Sequence, residues 1–181
     1  EDHIQALKDA GCEVYIHRWE DSMVKMRNQY LDKVQTDDWV IVHDPDELFN
    51  ERFCEDVKKI IAEVDSKPID LVLINSHDID IRKDGSSDER ASDFFKNLIF
   101  RKRAGTHYEG VGQVKEVHET LVIPGLQQQV NLDKRIYWYQ HTKYWWEVWE
   151  RAARNVFIAG GGNNVGEVNP SWGPLREICS E

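Results

Sequence analysis

Two short apolar runs separated by an amphipathic segment constrain the fold of this chain more than any other feature. Trp39–Val42 (WVIV) and Asp70–Asn75 (DLVLIN) are almost continuous runs of β-branched and aliphatic residues, a pattern typical of strands buried on both faces of a sheet. Between them, Asn50 is suited to cap a helix over Glu51–Val64, whose apolar residues recur at three- and four-residue steps. Strand, helix and strand in this order predict a βαβ unit with a parallel pair of strands.

A helix, a strand and a second helix are predicted before this unit. The first helix covers Asp2–Ala10 and ends at Gly11, and the strand covers Cys12–His17 (CEVYIH). Ser22 can cap the second helix. Its predicted apolar face carries Met23, Met26, Tyr30 and Val34.

The second half of the chain favours a mixed sheet. We expect a loop at Lys83–Ser92, then strands at Phe94–Phe100, Val117–Ile123 and Ile136–Gln140, and a helix over Tyr144–Ala159. A length of 181 residues fits one domain. The fold class is therefore α/β, with a parallel part at residues 1–92 and a more antiparallel part at residues 93–181.

Composition excludes several classes of protein. A hydrophobic fraction of 40% is enough for a packed core, and no apolar run reaches the roughly 20 residues of a membrane span. The formal charge of −10 opposes a phosphate backbone, so nucleic acid is an unfavourable partner. Three cysteines without a CxxC pair favour a reducing compartment, and we expect a cytoplasmic protein.

The first apolar run leads directly into a group of carboxylates. Asp44 and Asp46 lie one residue apart in the sequence His-Asp-Pro-Asp-Glu, and in extended backbone both side chains project to one side and can share a hard cation. Glu47 would then point the other way. The alternative is that these carboxylates cap the following helix or face solvent.

A series of different short motifs extends along nearly the whole chain. They are Met26–Leu31 (MRNQYL), Asp37–Ile41 (DDWVI), Asp44–Glu47 (DPDE), Leu98–Arg101 (LIFR), Tyr108–Gly110 (YEG), Val117–Glu119 (VHE), and His141 followed by Arg154-Asn155. Together they resemble the motifs of GT-A glycosyltransferases of the family 2 type, in which a strand ends in a metal-binding DxD. The resemblance implies a GT-A-like mixed sheet with flanking helices.

The resemblance also implies a chemistry and a role for individual residues. Asp44 and Asp46 would hold Mn²⁺ or Mg²⁺ against the diphosphate of a nucleotide-sugar donor, with Arg27 and Asn28 beside the nucleotide or diphosphate. The acceptor would be a carbohydrate, a lipid or a protein.

Four further residues receive roles through the resemblance. His118 or His141 would be a further ligand of the metal or the diphosphate. Glu119 would be the base that deprotonates the acceptor hydroxyl, with Glu47 as the second candidate catalytic carboxylate. Strand alternation places His118 and Glu119 on opposite sides, so both reach one cleft only if the strand has ended between them.

Other functions remain open at this stage. A non-catalytic sugar- or nucleotide-binding remnant of the same fold is the main alternative. His43-Asp44 and His77-Asp78 resemble the dipeptides of metal phosphohydrolases, but those lie on helices and these are expected at strand ends. Gly160–Gly162 follows a predicted helix, which favours a C-cap over a phosphate loop.

The first strands of the GT-A pattern have no counterpart in this sequence. In GT-A enzymes two strands with a D-x-S-x-D turn precede the first helix seen here, so we expect a truncated GT-A-like domain. The strand Cys12–His17 would then have an unpaired edge. Such an edge favours self-association into a homo-oligomer.

Overall fold

The protein is a mixed α/β protein, as the apolar pattern predicts. A computed structural model describes residues 2–111 and 119–144, and within them it contains three helices and eight strands. In chain order these are α1 (Asp2–Asp9), α2 (Met23–Leu31), β1 (Trp39–Ile41), β2 (Glu47–Phe49), α3 (Glu51–Asp65), β3 (Leu71–Ile81), β4 (Ser87–Arg101), β5 (His107–Gly110), β6 (Glu119–Val122), β7 (Gln129–Asn131) and β8 (Trp138–Tyr144). None of these helices is long and apolar enough to cross a membrane.

The long strand β3 is the centre of the main sheet. β4 pairs with it antiparallel on one side, and β7 and β8 pair with it parallel on the other side, one after the other along its length. β1 extends the sheet beyond β4, and β2 extends it beyond β8, both antiparallel to their neighbours. β5 and β6 form a separate antiparallel hairpin.

The predicted parallel pair of β1 and β3 is wrong. β4 lies between them and pairs antiparallel with both, so the parallel neighbours of β3 are β7 and β8. The reason is local: a short turn after Ile81 returns the chain directly along β3, and such a hairpin forms without a long crossover. The helix α3 still connects two strands of the sheet, β2 at its edge and β3 at its centre.

The polar stretch predicted as a loop at Lys83–Ser92 is largely strand. Only residues 82–86 form the turn, in which Gly85 has a φ of 82° that suits glycine. Charges on the two strands pair across the hairpin: Arg90 Nη2 lies 3.1 Å from Asp80 Oδ2. The charged side chains of this hairpin are exposed and include such pairs of opposite sign, so a charged sequence is compatible with strands here.

The predicted strand Cys12–His17 is also wrong. Residues 12–20 form no regular structure, and Tyr15 and Ile16 are 53% and 76% exposed. No strand of the described part pairs with them, and β-propensity alone does not hold a strand in water. The expected self-association through this strand edge therefore loses its basis.

Several predictions concern residues outside the described part. These are His118, the Val117 end of the strand at Val117–Ile123, most of the helix at Tyr144–Ala159, and Gly160–Gly162. The start of that helix is wrong, because Tyr144 is the last residue of β8.

One hydrophobic core joins α3 to the main sheet. The predicted apolar face of α3 is confirmed, with Phe53, Ile60 and Val64 all buried. They belong to one cluster with the interior of β3 and β4, where Val72, Ile74, Ile99 and Phe100 are 0% exposed. The apolar strands thus supply the rigid floor under the loops that follow them.

The predicted cap of α3 carries a stability prediction. The Asn50 carboxamide accepts a hydrogen bond from Phe53 N at 3.1 Å and donates one to Ile136 O at 2.8 Å. We expect Asn50→Ala to lower the free energy of unfolding in urea by about 1–2 kcal/mol. Asn50→Asp keeps the cap and loses only the donor, so its loss should be smaller. An alanine variant as stable as the wild type would contradict this assignment.

Candidate functional site

The DxD segment forms a turn between β1 and β2. Val42 continues the ladder by donating to Leu98 O at 2.7 Å, and Glu47 N then donates to Asp44 O at 3.0 Å. This bond closes a β-turn over residues 44–47, with Pro45 at the second position that proline favours. The expectation of extended backbone is therefore wrong, and Asp44 and Asp46 point to different partners.

Asp44 is bound by two cations. Arg27 Nη1 and Nη2 lie 2.8 Å and 2.9 Å from its two carboxylate oxygens, and Lys96 Nζ lies 3.1 Å from Oδ2. Burial raises the pKa of Asp44, but the hydrogen bonds and charge of Arg27, with Lys96 beside it, outweigh that effect and lower the pKa to about 2. The carboxylate therefore stays ionised at neutral pH.

Glu47 lies beneath this turn. Its carboxylate is 1% exposed, accepts a hydrogen bond from Asp44 N at 3.1 Å and pairs with Lys96. The expectation that Glu47 points away from Asp44 is wrong because the turn brings both to one side. A carboxylate buried in this way holds the loop in place and does not reach an acceptor in the cleft.

Arg27 connects the turn to the β5–β6 hairpin. The residue lies on the buried face of α2, 7% exposed, and its Nε lies 3.4 Å from Glu119 Oε1. Its apolar neighbour on that face is Leu31, while Met26 is 37% exposed. The predicted apolar face of α2 is thus partly wrong, because the charge of Arg27 finds carboxylate partners inside the molecule.

Asn28 fixes the same hairpin to α2. Its side chain donates to Tyr108 O at 2.9 Å and accepts from Tyr108 N at 2.8 Å. Tyr30 Oη adds a hydrogen bond to Tyr108 Oη at 2.9 Å. Asn28 therefore positions the strand that carries Tyr108, and through it the paired strand that starts at Glu119.

Asp46 has a different partner from Asp44, because it contacts His141. His141 Nε2 lies 3.2 Å from Asp46 Oδ2, and Nδ1 on the other side of the ring lies 3.6 Å from Asp78 Oδ1. The register makes this contact possible, because β2 and β8 pair Glu47 with His141. His141 is thus adjacent to the turn.

A cleft opens next to this network. It has a volume of about 470 Å³ and lies between β3, β4 and the β5–β6 hairpin. Arg27, Lys96 and Glu119 contribute its charged groups, and Leu73, Phe95 and Leu121 contribute apolar surface. The cleft therefore offers both charged and apolar surface beside Glu119.

Sequence reasoning missed two charged residues of this site. Lys96 is a single cation in an otherwise apolar strand segment (FFKNLIF), and that isolation was a signal of an internal partner. Asp78 was visible only as half of a His-Asp dipeptide. It lies inside β3 and not at the strand end that was expected.

The side chains at the DxD turn supply only part of the ligand set of a divalent ion. Among the described residues, no three His, Cys, Asp or Glu side chains converge as a metal site. Mg²⁺ sites on nucleotides, however, often use one or two protein ligands together with phosphate oxygens. Asp46 Oδ2 and His141 Nε2 fit that smaller set, whereas both oxygens of Asp44 are bound by Arg27 and Lys96.

The comparisons with known proteins add no family. The chain matches no protein-family model, and it matches none of the curated proteins.

The pairing of Asp44 predicts a pH-dependent contribution to stability. Because its pKa in the folded protein is about 2, below the usual 3.8, ionisation of Asp44 stabilises the fold above about pH 4, and this contribution is lost as the pH falls through 2. Asp44→Asn should lower the free energy of unfolding by about 2 kcal/mol at pH 7 and by much less at pH 2.5.

Urea denaturation at the two pH values measures this difference. The matched control is Asp32→Asn, which changes an exposed carboxylate at the end of α2. Its effect should stay below about 0.5 kcal/mol at both pH values. A loss in Asp44→Asn that is the same at pH 7 and pH 2.5 would show that the charge of Asp44 is not the cause.

Proposed function

We propose that the chain is a metal-dependent glycosyltransferase of GT-A type, which transfers a sugar from a nucleotide-sugar to an acceptor hydroxyl. One observation carries the proposal: residues from separate motifs of the resemblance are in direct contact. Arg27 binds Asp44 and Glu119, and Asn28 binds the backbone of Tyr108. These residues are up to 92 positions apart in the chain.

Charge at the site supports a need for an added cation. Arg27 and Lys96 face three carboxylates, Asp44, Glu47 and Glu119, which leaves the cluster with one excess negative charge. A diphosphate would be repelled by that excess unless a cation accompanied it. In this proposal Asp46 and His141 would hold Mn²⁺ or Mg²⁺, which when bound would supply positive charge for the leaving diphosphate.

Glu119 is the proposed base. Its carboxylate lines the cleft and is held by Arg27 Nε, so it is both accessible and oriented. The acceptor hydroxyl gives its proton to Glu119 while its oxygen bonds to the sugar carbon. The bond from that carbon to the diphosphate breaks, and the nucleoside diphosphate leaves with the electron pair.

The second candidate function is a non-catalytic sugar- or nucleotide-binding module. The observation that favours it is the closed ion-pair network, in which Asp44 and Glu47 already have cationic partners within the protein. In that case the network serves stability alone. Turnover assays of Glu119 variants distinguish the two functions.

The role of Glu119 gives the first functional prediction. Glu119→Gln should lower sugar transfer by roughly 10²–10⁴-fold while donor binding, measured by calorimetry with Mn²⁺, stays nearly unchanged. Glu109→Gln on the paired strand is the matched control, because its carboxylate is exposed and lies 3.8 Å from His107 Nε2, and it should keep wild-type turnover. Equal turnover in both variants would exclude Glu119 as the base.

The metal gives the second functional prediction. Asp46→Ala should weaken Mn²⁺ binding by about tenfold or more, because it removes a charged ligand. Asp44→Asn should weaken it less, since Arg27 and Lys96 already occupy that carboxylate. Calorimetric titration with MnCl₂ measures both values, and unchanged binding in Asp46→Ala would overturn the ligand assignment.

A further inference from the structure

The cleft beside Glu119 takes its apolar surface from two separate elements. Its volume of about 470 Å³ lies within the range of small-molecule sites, about 300–1,000 Å³. Leu71 and Leu73 alternate along β3 and therefore point to one face of the sheet, and both line the cleft. Leu121 on β6 lines it from the hairpin. A bound molecule would therefore contact aliphatic side chains of both the sheet and the hairpin.

Strand β6 brings the carboxylate of Glu119 close to the apolar side chain of Leu121. Residues two apart in a strand point to the same side and lie about 7 Å apart along it, and both of these residues line the cleft. A ligand hydroxyl at Glu119 therefore has apolar surface within about 7 Å. The part of the ligand next to this hydroxyl should be apolar, because a polar group buried against leucine loses its hydrogen bonds to water.

The charges of the cleft disfavour an anionic ligand that enters without a cation. Arg27 and Lys96 line the cleft, but both pair with Asp44, and each has a second carboxylate partner. These second partners are Glu119 for Arg27 and Glu47 for Lys96. The carboxylates of this cluster therefore outnumber its cations by one. A carboxylate or phosphate on the ligand would be repelled by that excess.

We propose that this cleft binds a neutral alcohol with an aryl or alkyl body, whose hydroxyl lies at Glu119 and whose body lies against Leu71, Leu73 and Leu121. The use of this alcohol as the sugar acceptor rests on the proposed function, whereas its binding does not. A free sugar fits less well, because its hydroxyls surround the ring and those that face the leucines would lack partners. Among the acceptors that the motifs allow, an apolar alcohol is therefore favoured over a carbohydrate.

The first test compares probes on the wild-type full chain by NMR titration, without donor or metal. The probes are para-trifluoromethyl benzyl alcohol, para-trifluoromethyl benzoate and methyl β-glucoside. The first two share one aromatic body, so their difference isolates the charge, and the glucoside is a neutral polyol. The alcohol should bind saturably and at least about fivefold more tightly than the benzoate or the glucoside. Equal or weaker binding of the alcohol, or binding that does not saturate, would overturn the inference.

The second test locates the body of the alcohol. Leu121→Asn puts an amide of similar size into the apolar wall and should weaken alcohol binding by about tenfold, because burial of a leucine side chain is worth about that factor. Leu126→Asn is the matched control, because Leu126 is 43% exposed in the turn after β6 and does not line the cleft. It should keep the wild-type affinity. Equal affinities in these two variants would contradict the proposed position.

The third test locates the hydroxyl. Glu119→Gln removes the excess negative charge, so the affinity for the benzoate should rise by at least about fivefold, while the affinity for the alcohol should change less. Glu109→Gln changes an exposed carboxylate on the paired strand and should leave both affinities as in the wild type. If Glu119→Gln binds the benzoate no better than the wild type does, the ligand does not lie at Glu119.

Binding and sugar transfer are measured separately, so the inference and the proposed function can fail independently. Alcohol binding in the expected pattern, with no transfer from any nucleotide-sugar, would refute the function and support the inference. Transfer to the glucoside in preference to the alcohol would support the function and overturn the inference. Circular dichroism of each variant checks that the fold is retained, and the comparison of probes on the wild type stays decisive if Leu121→Asn loses stability.

Discussion

The buried guanidinium of Arg27 is the interaction on which the rest of the site depends. A charge that is largely removed from water requires partners of opposite charge, and Arg27 finds them on two elements outside its own helix. Asp44 comes from the turn after β1, and Glu119 comes from the start of β6. One side chain therefore fixes α2, the DxD turn and the cleft wall relative to one another.

Lys96 has the same function on the sheet side. It pairs with Asp44 and with the fully buried Glu47, and its ammonium lies 5.8 Å from the centre of the Tyr139 ring. The carboxylates of the turn are thus held from two directions. This preorganisation has a cost for ligand binding, because a metal or diphosphate at Asp44 has to compete with charges already in place.

The topology gives the two carboxylates of the DxD turn different neighbours. β1 pairs at one side of the sheet and β2 at the other, so the turn has to cross from β4 to β8. Asp44 lies at the start of this crossing, over β4, and Asp46 lies at its end, beside β8. The two carboxylates are therefore separated in role although only Pro45 stands between them in the sequence.

Sequence by itself determined the elements whose signals are local. The strands β1 and β3, the caps Ser22 and Asn50 and the apolar face of α3 follow from side-chain period and capping chemistry, and the fold contains them. The expected burial of β1 on both faces is wrong, because β1 is an edge strand in which Ile41 is 39% exposed. The sequence also indicated Arg27, Asp44, Glu119 and His141 as residues of one site. The contacts of Arg27 with Asp44 and Glu119, and of His141 with Asp46, depend on distances that no local pattern contains.

Only the tertiary structure decided the pairing and the partners. The antiparallel insertion of β4 depended on a hairpin whose charged strands looked like a loop, because the backbone pairing of β3 with β4 does not show in the composition of β4 alone. The inward direction of Arg27 and the place of Asp78 beside His141 follow from helix packing and strand register. Burial of a charge and pairing of strands are non-local interactions, so their energies appear only when the whole fold brings the partners together.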